Sequence, residues 1–388
     1  MNGLHSSSRV NLPVEPQRLD SIDALRGFAA LGVVTVHTSQ CVGPSSNPLI
    51  TLAQQGSYGV QLFYVISAFT LFFSLSIRQS AETHLTRNFL IRRFCRIAPL
   101  FWCAMAFYLL RDGLGPRYWL GDAPSVTPLN LLATATFTNG FNPYWINSVV
   151  PAGWSVAVEM MFYLTVPFLY RKIKSANTAW ACTFAWLVLS VLVLKLGEYL
   201  VPITDNRLWV DFLYFWLPNQ MPVFGLGFVL YFIFCRLQPV LPHLRKKKTQ
   251  SVALLATSFC AVGVLCYCDY QILPVQFLYG LVFLCVAIAL FLHPFRLIVN
   301  GLTTSIGKIS YSVYLTHSAV IPLAERFVRG MSRRLDWYLS PLPQFALLML
   351  LVVGGTLAVS TLTYRLIELP GQNLGRRIIA ALRGKSTA

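Results

Sequence analysis

The chain has 388 residues, a formal net charge of +17 and a mean hydropathy of +0.58, with 55% hydrophobic and only 12% charged residues. A soluble domain carries about 25% charged residues, so this composition excludes a soluble globular protein and specifies a polytopic membrane protein. The nine cysteines stand singly in or beside apolar segments without a Cys-x-x-Cys pair, which gives no disulfide framework and reads as reduced, buried thiols.

Residues 1–21 are polar, with Arg9, Glu15, Arg18 and Asp20, so no cleavable signal peptide is expected and the first apolar span directs insertion. Runs of about twenty apolar residues predict an all-α bundle of about ten transmembrane spans. The expected limits are 22–41, 55–77, 97–111, 153–170, 177–195, 208–235, 250–268, 274–293, 303–324 and 343–364. The segment at 128–139 is too short to span and is expected to be interfacial or re-entrant. The sixth span holds Pro218, Pro222, Gly225 and Gly227. It is expected to be kinked for packing, or broken where its backbone lines protein or water.

Basic residues gather before and at the first span, at 78–96, 171–174, 236–248 and 296–308, and again from Arg365 onward. Arg111, Arg117, Lys195, Arg207, Arg326, Arg329, Arg333 and Arg334 are left for the opposite side. The positive-inside rule then places both termini in the cytoplasm, and this one-sidedness accounts for the basic charge without nucleic acid. The chain is expected to divide into a polar cytoplasmic segment at 1–21, a membrane domain at 22–370 and a basic cytoplasmic tail at 371–388, with Pro370-Gly371 ending the last span.

The first span carries the first chemistry. Arg26 and His37 lie on it about 16 Å apart along the axis, so with Arg26 at one interface His37 falls near mid-depth. Ionisable groups are costly in hydrocarbon and are functional candidates for that reason. An imidazole can act as general base near neutral pH without a metal, or can simply bridge helices by a hydrogen bond. Glu159 enters from the outer side to within about 5 Å of the same depth, where a carboxylate would orient the histidine and stabilise its charged form. The alternative is a carboxyl paired with an arginine or kept protonated. Ser67 also falls near mid-depth, where packing is the ordinary role of a serine.

At the inner end Arg93 and Arg96 share a helical face, a geometry that suits phosphate, although the positive-inside rule alone also places arginines there. His317, in Ser310-Tyr311-Ser312-Val313-Tyr314-Leu315-Thr316-His317, is a second base candidate or a substrate-binding donor. Aromatics at 137–154 can stack a sugar ring or form an interfacial belt. No metal is expected.

Together these residues resemble the acyltransferase family three membrane enzymes. The resemblance rests on the Arg26-to-His37 spacing, Gly59-Val60-Gln61-Leu62-Phe63-Tyr64-Val65-Ile66-Ser67-Ala68-Phe69 and Arg93-Phe94-Cys95-Arg96-Ile97-Ala98-Pro99. It continues with Trp154-Ser155-Val156-Ala157-Val158-Glu159 and Ser310-Tyr311-Ser312 through His317, in the family's order over roughly residues 20–370. It implies a multi-pass protein of the bacterial inner membrane that moves an acyl group, most often acetyl, from cytoplasmic acyl-CoA to a hydroxyl of a surface glycan. It also implies phosphate contacts at Arg93 and Arg96, a donor-side role for Arg26, and His37 as catalytic base. Ser67, Tyr311 and His317 are candidates for substrate contact or cavity lining.

Two departures stand out: Ser67-Ala68-Phe69 replaces the family's usual Ser-Gly-Phe, and Met160 follows Glu159 where a second acidic residue is frequent. With the chain ending at Ala388, a stand-alone enzyme without the esterase-like domain of many relatives is expected. The expected partners are acyl-CoA, the glycan acceptor and membrane lipids. A transporter of a glycan or lipid-linked sugar, or an acyltransferase for a small lipid or antibiotic-like acceptor, are the other readings of the same residues.

Overall fold

A computed structural model describes residues 19–42, 46–240, 248–267, 273–335 and 339–384. Most of the polar N-terminal segment, Cys268, and Lys246 and Lys247 of the basic run lie outside the described residues. No strand occurs among the described residues, which form helices joined by short turns. In chain order these are α1 (Asp20–Ser39), α2 (Pro48–Gln54), α3 (Gly59–Arg78), α4 (Leu85–Asp112), α5 (Pro128–Ala135), α6 (Gly153–Lys172), α7 (Ala176–Tyr199), α8 (Asn206–Phe215) and α9 (Leu217–Leu237). They are followed by α10 (Lys248–Tyr267), α11 (Val275–Leu292), α12 (Gly301–Lys308), α13 (Ser310–Leu335), α14 (Pro341–Thr363) and α15 (Leu369–Gly384).

Among the described residues seven stretches are long and apolar enough to cross a membrane: Pro48–Arg78, Leu85–Asp112, Ala176–Tyr199, Asn206–Leu237, Lys248–Tyr267, Val275–Leu292 and Pro341–Arg383. The remaining expected spans correspond to α1, α6 and α13, which are 20, 20 and 26 residues long. A 20-residue helix measures about 30 Å, the thickness of the hydrocarbon core, so length is not what sets these three apart. Their apolar character is diluted by Arg26, His37, Glu159, His317 and, on α13, the arginines at 326–334.

Helix α1 is central. Ala24, Leu25, Ala29, Ala30, Val33 and Val34 are buried around its circumference, and its backbone is gripped on two sides by glycines. A methyl group at Gly307 would overlap the Asp23 carbonyl, and one at Gly56 would overlap that of Gly32. Small residues at such crossings let helix backbones touch, which fixes both the axis and the rotation of α1. Arg26 and His37 are thereby aimed at the interior cavities.

The sixth expected span is broken. Trp216 is extended (φ −62°, ψ 141°) between α8 and α9, and Pro218 falls in the first turn of α9, where its missing N–H costs nothing. The freed carbonyls are taken locally: the Gln220 side chain donates to Tyr214 O at 2.6 Å and that of Asn219 donates to Leu213 O. Both amides are fully buried, and Ser190 and Gln61 donate to their oxygens at 3.0 and 3.2 Å. Backbone freed at membrane depth must be satisfied inside the protein, and here side chains one turn away do so.

Two boundaries differ from expectation. The ninth span is split at Ile309, with α12 started by an Asn300 capping box that bonds Leu302 N and Thr303 N at 3.0 and 3.1 Å. Pro370-Gly371 does not end the last span. Tyr364–Glu368 forms a π-turn and the helix continues as α15 to Gly384. A widened i→i+5 turn already breaks the regular ladder, so the N–H that Pro370 lacks is lost where it matters least. A methyl at Gly371 would stand 2.5 Å from Cys95 O, so this glycine serves a close crossing of α15 over α4. Arg383 of α15 lies 3.5 Å from Glu82, which also binds Arg92 at 2.9 and 3.1 Å, Arg78 at 3.4 Å and Asn88 at 3.2 Å. The basic ends of α3, α4 and α15 therefore meet at one carboxylate.

Candidate active site

Three cavities succeed one another along α1. The first, about 360 Å³, opens at the basic end and is bordered by Asp23, Arg26, Arg96, Lys308, Tyr364 and Gln372. The second is a narrow chamber of about 60 Å³ reached past Arg26 and Arg96, which line both. Its walls include Ser67, Glu159, Tyr163, Tyr311 and Tyr314. The third, about 510 Å³, lies toward the other end of α1 and is lined by His37, Gln40, Trp119, Trp154, Asp211 and Phe215 among others.

The guanidinium cluster at the mouth is lightly engaged by the protein. Arg26 makes one long hydrogen bond, to Thr70 Oγ1 at 3.5 Å. Nε of Arg96 is buried without a hydrogen-bond partner and faces Glu368 Oε1 at 3.8 Å. Arg93 lines neither of the first two cavities. Its guanidinium sits over the rings of Phe89 and Tyr163 at 5.8 and 5.6 Å, within electrostatic reach of Arg26, Arg96 and Glu159. Arg26 and Arg96 thus keep donors for an anion entering the mouth, while Arg93 adds charge from behind.

Glu159 accepts a hydrogen bond from Ser67 in the narrow chamber, with Tyr163 beside it. The expected pairing of Glu159 with His37 is not formed: the two residues line different cavities. His37, in the last turn of α1, instead bonds through Nδ1 to Gln40 Oε1 at 3.1 Å. Its ring stacks on that of His317, centroids 5.2 Å apart and 25° between planes. His317 is fully buried, with Nδ1 2.6 Å from Tyr314 O and Nε2 3.2 Å from Ser318 Oγ. Since a carbonyl only accepts, His317 carries its proton on Nδ1. Tyr311 donates to Ile97 O at 2.8 Å and so ties α13 to α4 beside the chamber.

Glu368 is the site residue that sequence reasoning missed. It is fully buried, accepts from Ser312 Oγ at 2.9 Å and Gln372 Nε2 at 3.2 Å, and balances Arg96. It lies between the expected end of the last span at 364 and Pro370-Gly371, where no site residue is expected. The available signal was a single carboxylate in a run that otherwise holds Arg365, Arg376, Arg377 and Arg383. Among the described residues no three His, Cys, Asp or Glu side chains gather so as to hold a metal ion.

Comparison with known proteins gives one consistent signal. A family model described as an acyltransferase domain matches residues 19–365. "Acyltransferase MdmB" of Streptomyces mycarofaciens is 28% identical, over 94% of this chain and 95% of that protein. "Putative peptidoglycan O-acetyltransferase YrhL" of Bacillus subtilis is 25% identical over 92% of this chain and 56% of its own length. "O-acetyltransferase OatA" of Staphylococcus aureus is 25% identical over 98% and 61%. The chain therefore spans nearly all of the first relative and a little over half of the other two. No solved structure matches.

Proposed function

The chain belongs to acyltransferase family three, and from that premise we propose that it is a membrane O-acetyltransferase that takes its acyl group from acyl-CoA on the cytoplasmic side and delivers it to a hydroxyl presented from the opposite side. The carrying observation is the succession of cavities along α1, with Arg26 and Arg96 at one end and His37 in the last. The donor's phosphates dock on Arg26 and Arg96, backed by Arg93. Its pantetheine arm runs about 16 Å along α1 through the narrow chamber, past Ser67 and Tyr311. Glu159 and Glu368 offset the buried arginine charges along that path, a role distinct from orienting the base.

Orientation of His37 falls to Gln40 and His317. With Nδ1–H of His37 donated to the Gln40 amide oxygen, Nε2 is left as the base, and the stacked ring of His317 holds the plane. His37 removes the acceptor hydroxyl proton while the oxygen attacks the thioester carbonyl. The new ester C–O bond forms as the C–S bond breaks, the electron pair leaves on sulfur, and the proton returns from the imidazolium to release CoA as the thiol. The acceptor cavity, with Trp119, Trp154 and Phe215 beside Asp211 and Asn147, suits the apolar face and hydroxyls of a sugar. A surface or exported glycan is accordingly the proposed acceptor, and the bacterial inner membrane the proposed location.

The transporter reading loses its main support, because the break at Trp216 is filled by Asn219 and Gln220. The test is to incubate purified protein with radiolabelled acetyl-CoA and acceptor glycan. Acceptor labelling with release of CoA thiol is the expected result; glycan movement without labelling would overturn the reading.

A further inference from the structure

The narrow chamber and the acceptor cavity share two lining residues, Val60 and Tyr314. Both are 5% exposed, and neither is free to move aside. Tyr314 is anchored by its hydroxyl, which lies 2.6 Å from Ser155 Oγ and donates to Ala152 O at 2.9 Å. The Phe63 ring packs nearly perpendicular to the Tyr314 ring, with centroids 6.0 Å apart. Val60 follows Gly59, whose backbone lies against Ala29 of α1, so the helix bearing Val60 cannot retreat. On the donor side the chamber is the smallest of the three cavities along α1. A held aromatic ring and a β-branched side chain thus stand where the cavity next to the arginines adjoins the one that holds His37.

From this we infer that Val60 and Tyr314 form a waist that selects the acyl group by cross-section: unbranched acyl groups pass, and groups branched beside the carbonyl do not. Resting on the proposed acyl-CoA donor, it adds a specificity that neither the arginine cluster nor His37 supplies. A straight chain threads a waist at constant width whatever its length. A methyl branch on the carbon next to the carbonyl widens the group at the point that must lie between the two residues. Tight packing does not absorb such a methyl for free, and a single methylene in an apolar pocket is worth about 10- to 200-fold in kcat/KM.

The test compares n-butyryl-CoA with isobutyryl-CoA, isomers of equal atom count, in the full-length protein. The ratio of their kcat/KM values is independent of the fraction of enzyme that is folded. Wild type is expected to favour n-butyryl at least tenfold. Val60→Ala should cut that ratio about tenfold, chiefly by gaining isobutyryl turnover, and Val60→Ile should raise it. Tyr314→Phe, which frees the ring from Ser155 and Ala152, should lower it. A wild-type ratio near one, a ratio unmoved by both Val60 variants, or turnover of neither isomer while acetyl-CoA is used would overturn the waist and leave the proposed function standing. Failure to transfer acetyl from acetyl-CoA would overturn both.

Discussion

Removing the carboxylate of Glu368 is the perturbation whose outcome the geometry constrains most closely. The group is fully buried and carries the charge nearest to Arg96 Nε, itself without a hydrogen-bond partner. Breaking a buried ion pair from one side leaves an uncompensated charge and costs about 3–5 kcal/mol. Arg96 keeps 24% side-chain exposure and the pair is long at 3.8 Å, so the lower end applies to Glu368→Ala, about 3 kcal/mol. Glu368→Gln should cost less, because its carbonyl oxygen can still accept from Ser312. The phosphates of CoA supply a substitute counter-charge, so CoA should stabilise Glu368→Ala more than it stabilises wild type. Unfolding in detergent, followed by heating with and without CoA, measures both quantities. An apo protein as stable as wild type, or an equal CoA-induced shift in the two, would show that Glu368 does not balance Arg96 at the donor mouth.

Two further outcomes follow from the same charges. Arg26→Ala and Arg96→Ala each remove a charge-assisted contact worth about 1.5–3 kcal/mol, so each should weaken CoA binding by roughly 10- to 100-fold in a direct titration, with the proteins still folded. At the basic end, burial acts to raise the pKa of Glu82, but hydrogen bonds and charge from Arg92, with Asn88 and Arg78, outweigh it and hold the carboxyl below its ordinary 4.5. A depressed carboxyl contributes stability that is present above its unfolded pKa and is lost as pH falls through the folded value. Wild type should therefore lose stability below about pH 4.5, and Glu82→Gln should be weaker at pH 7 but flatter through that range.

Much of this architecture is written in local pattern. Apolar runs of spanning length give the helices, the Leu217-Pro218 step marks the break before α9, and the cost of placing Arg26 and His37 in hydrocarbon singles out α1 as a candidate for function. Depth along an axis, however, says nothing of direction around it. His37 and Glu159 were expected to meet because their heights matched, yet they face different cavities, and Gln40 and His317 occupy the places beside His37. The rotation that decides this is set by backbone crossings at Gly307 and Gly56, contacts between segments far apart in sequence. Glu368 escaped for a related reason. Pro370-Gly371 ordinarily stops a helix, but the π-turn at Tyr364–Glu368 and the crossing over Cys95 give the pair another use.

His37 is the proposed base to which the succession of cavities leads. Its most direct test is acyl transfer from radiolabelled acetyl-CoA by purified His37→Ala beside wild type, with CoA binding measured on the same samples. Transfer should fall by at least about a hundredfold, the lower bound for a positioned general base, with CoA affinity unchanged. Transfer retained near the wild-type rate would contradict that role.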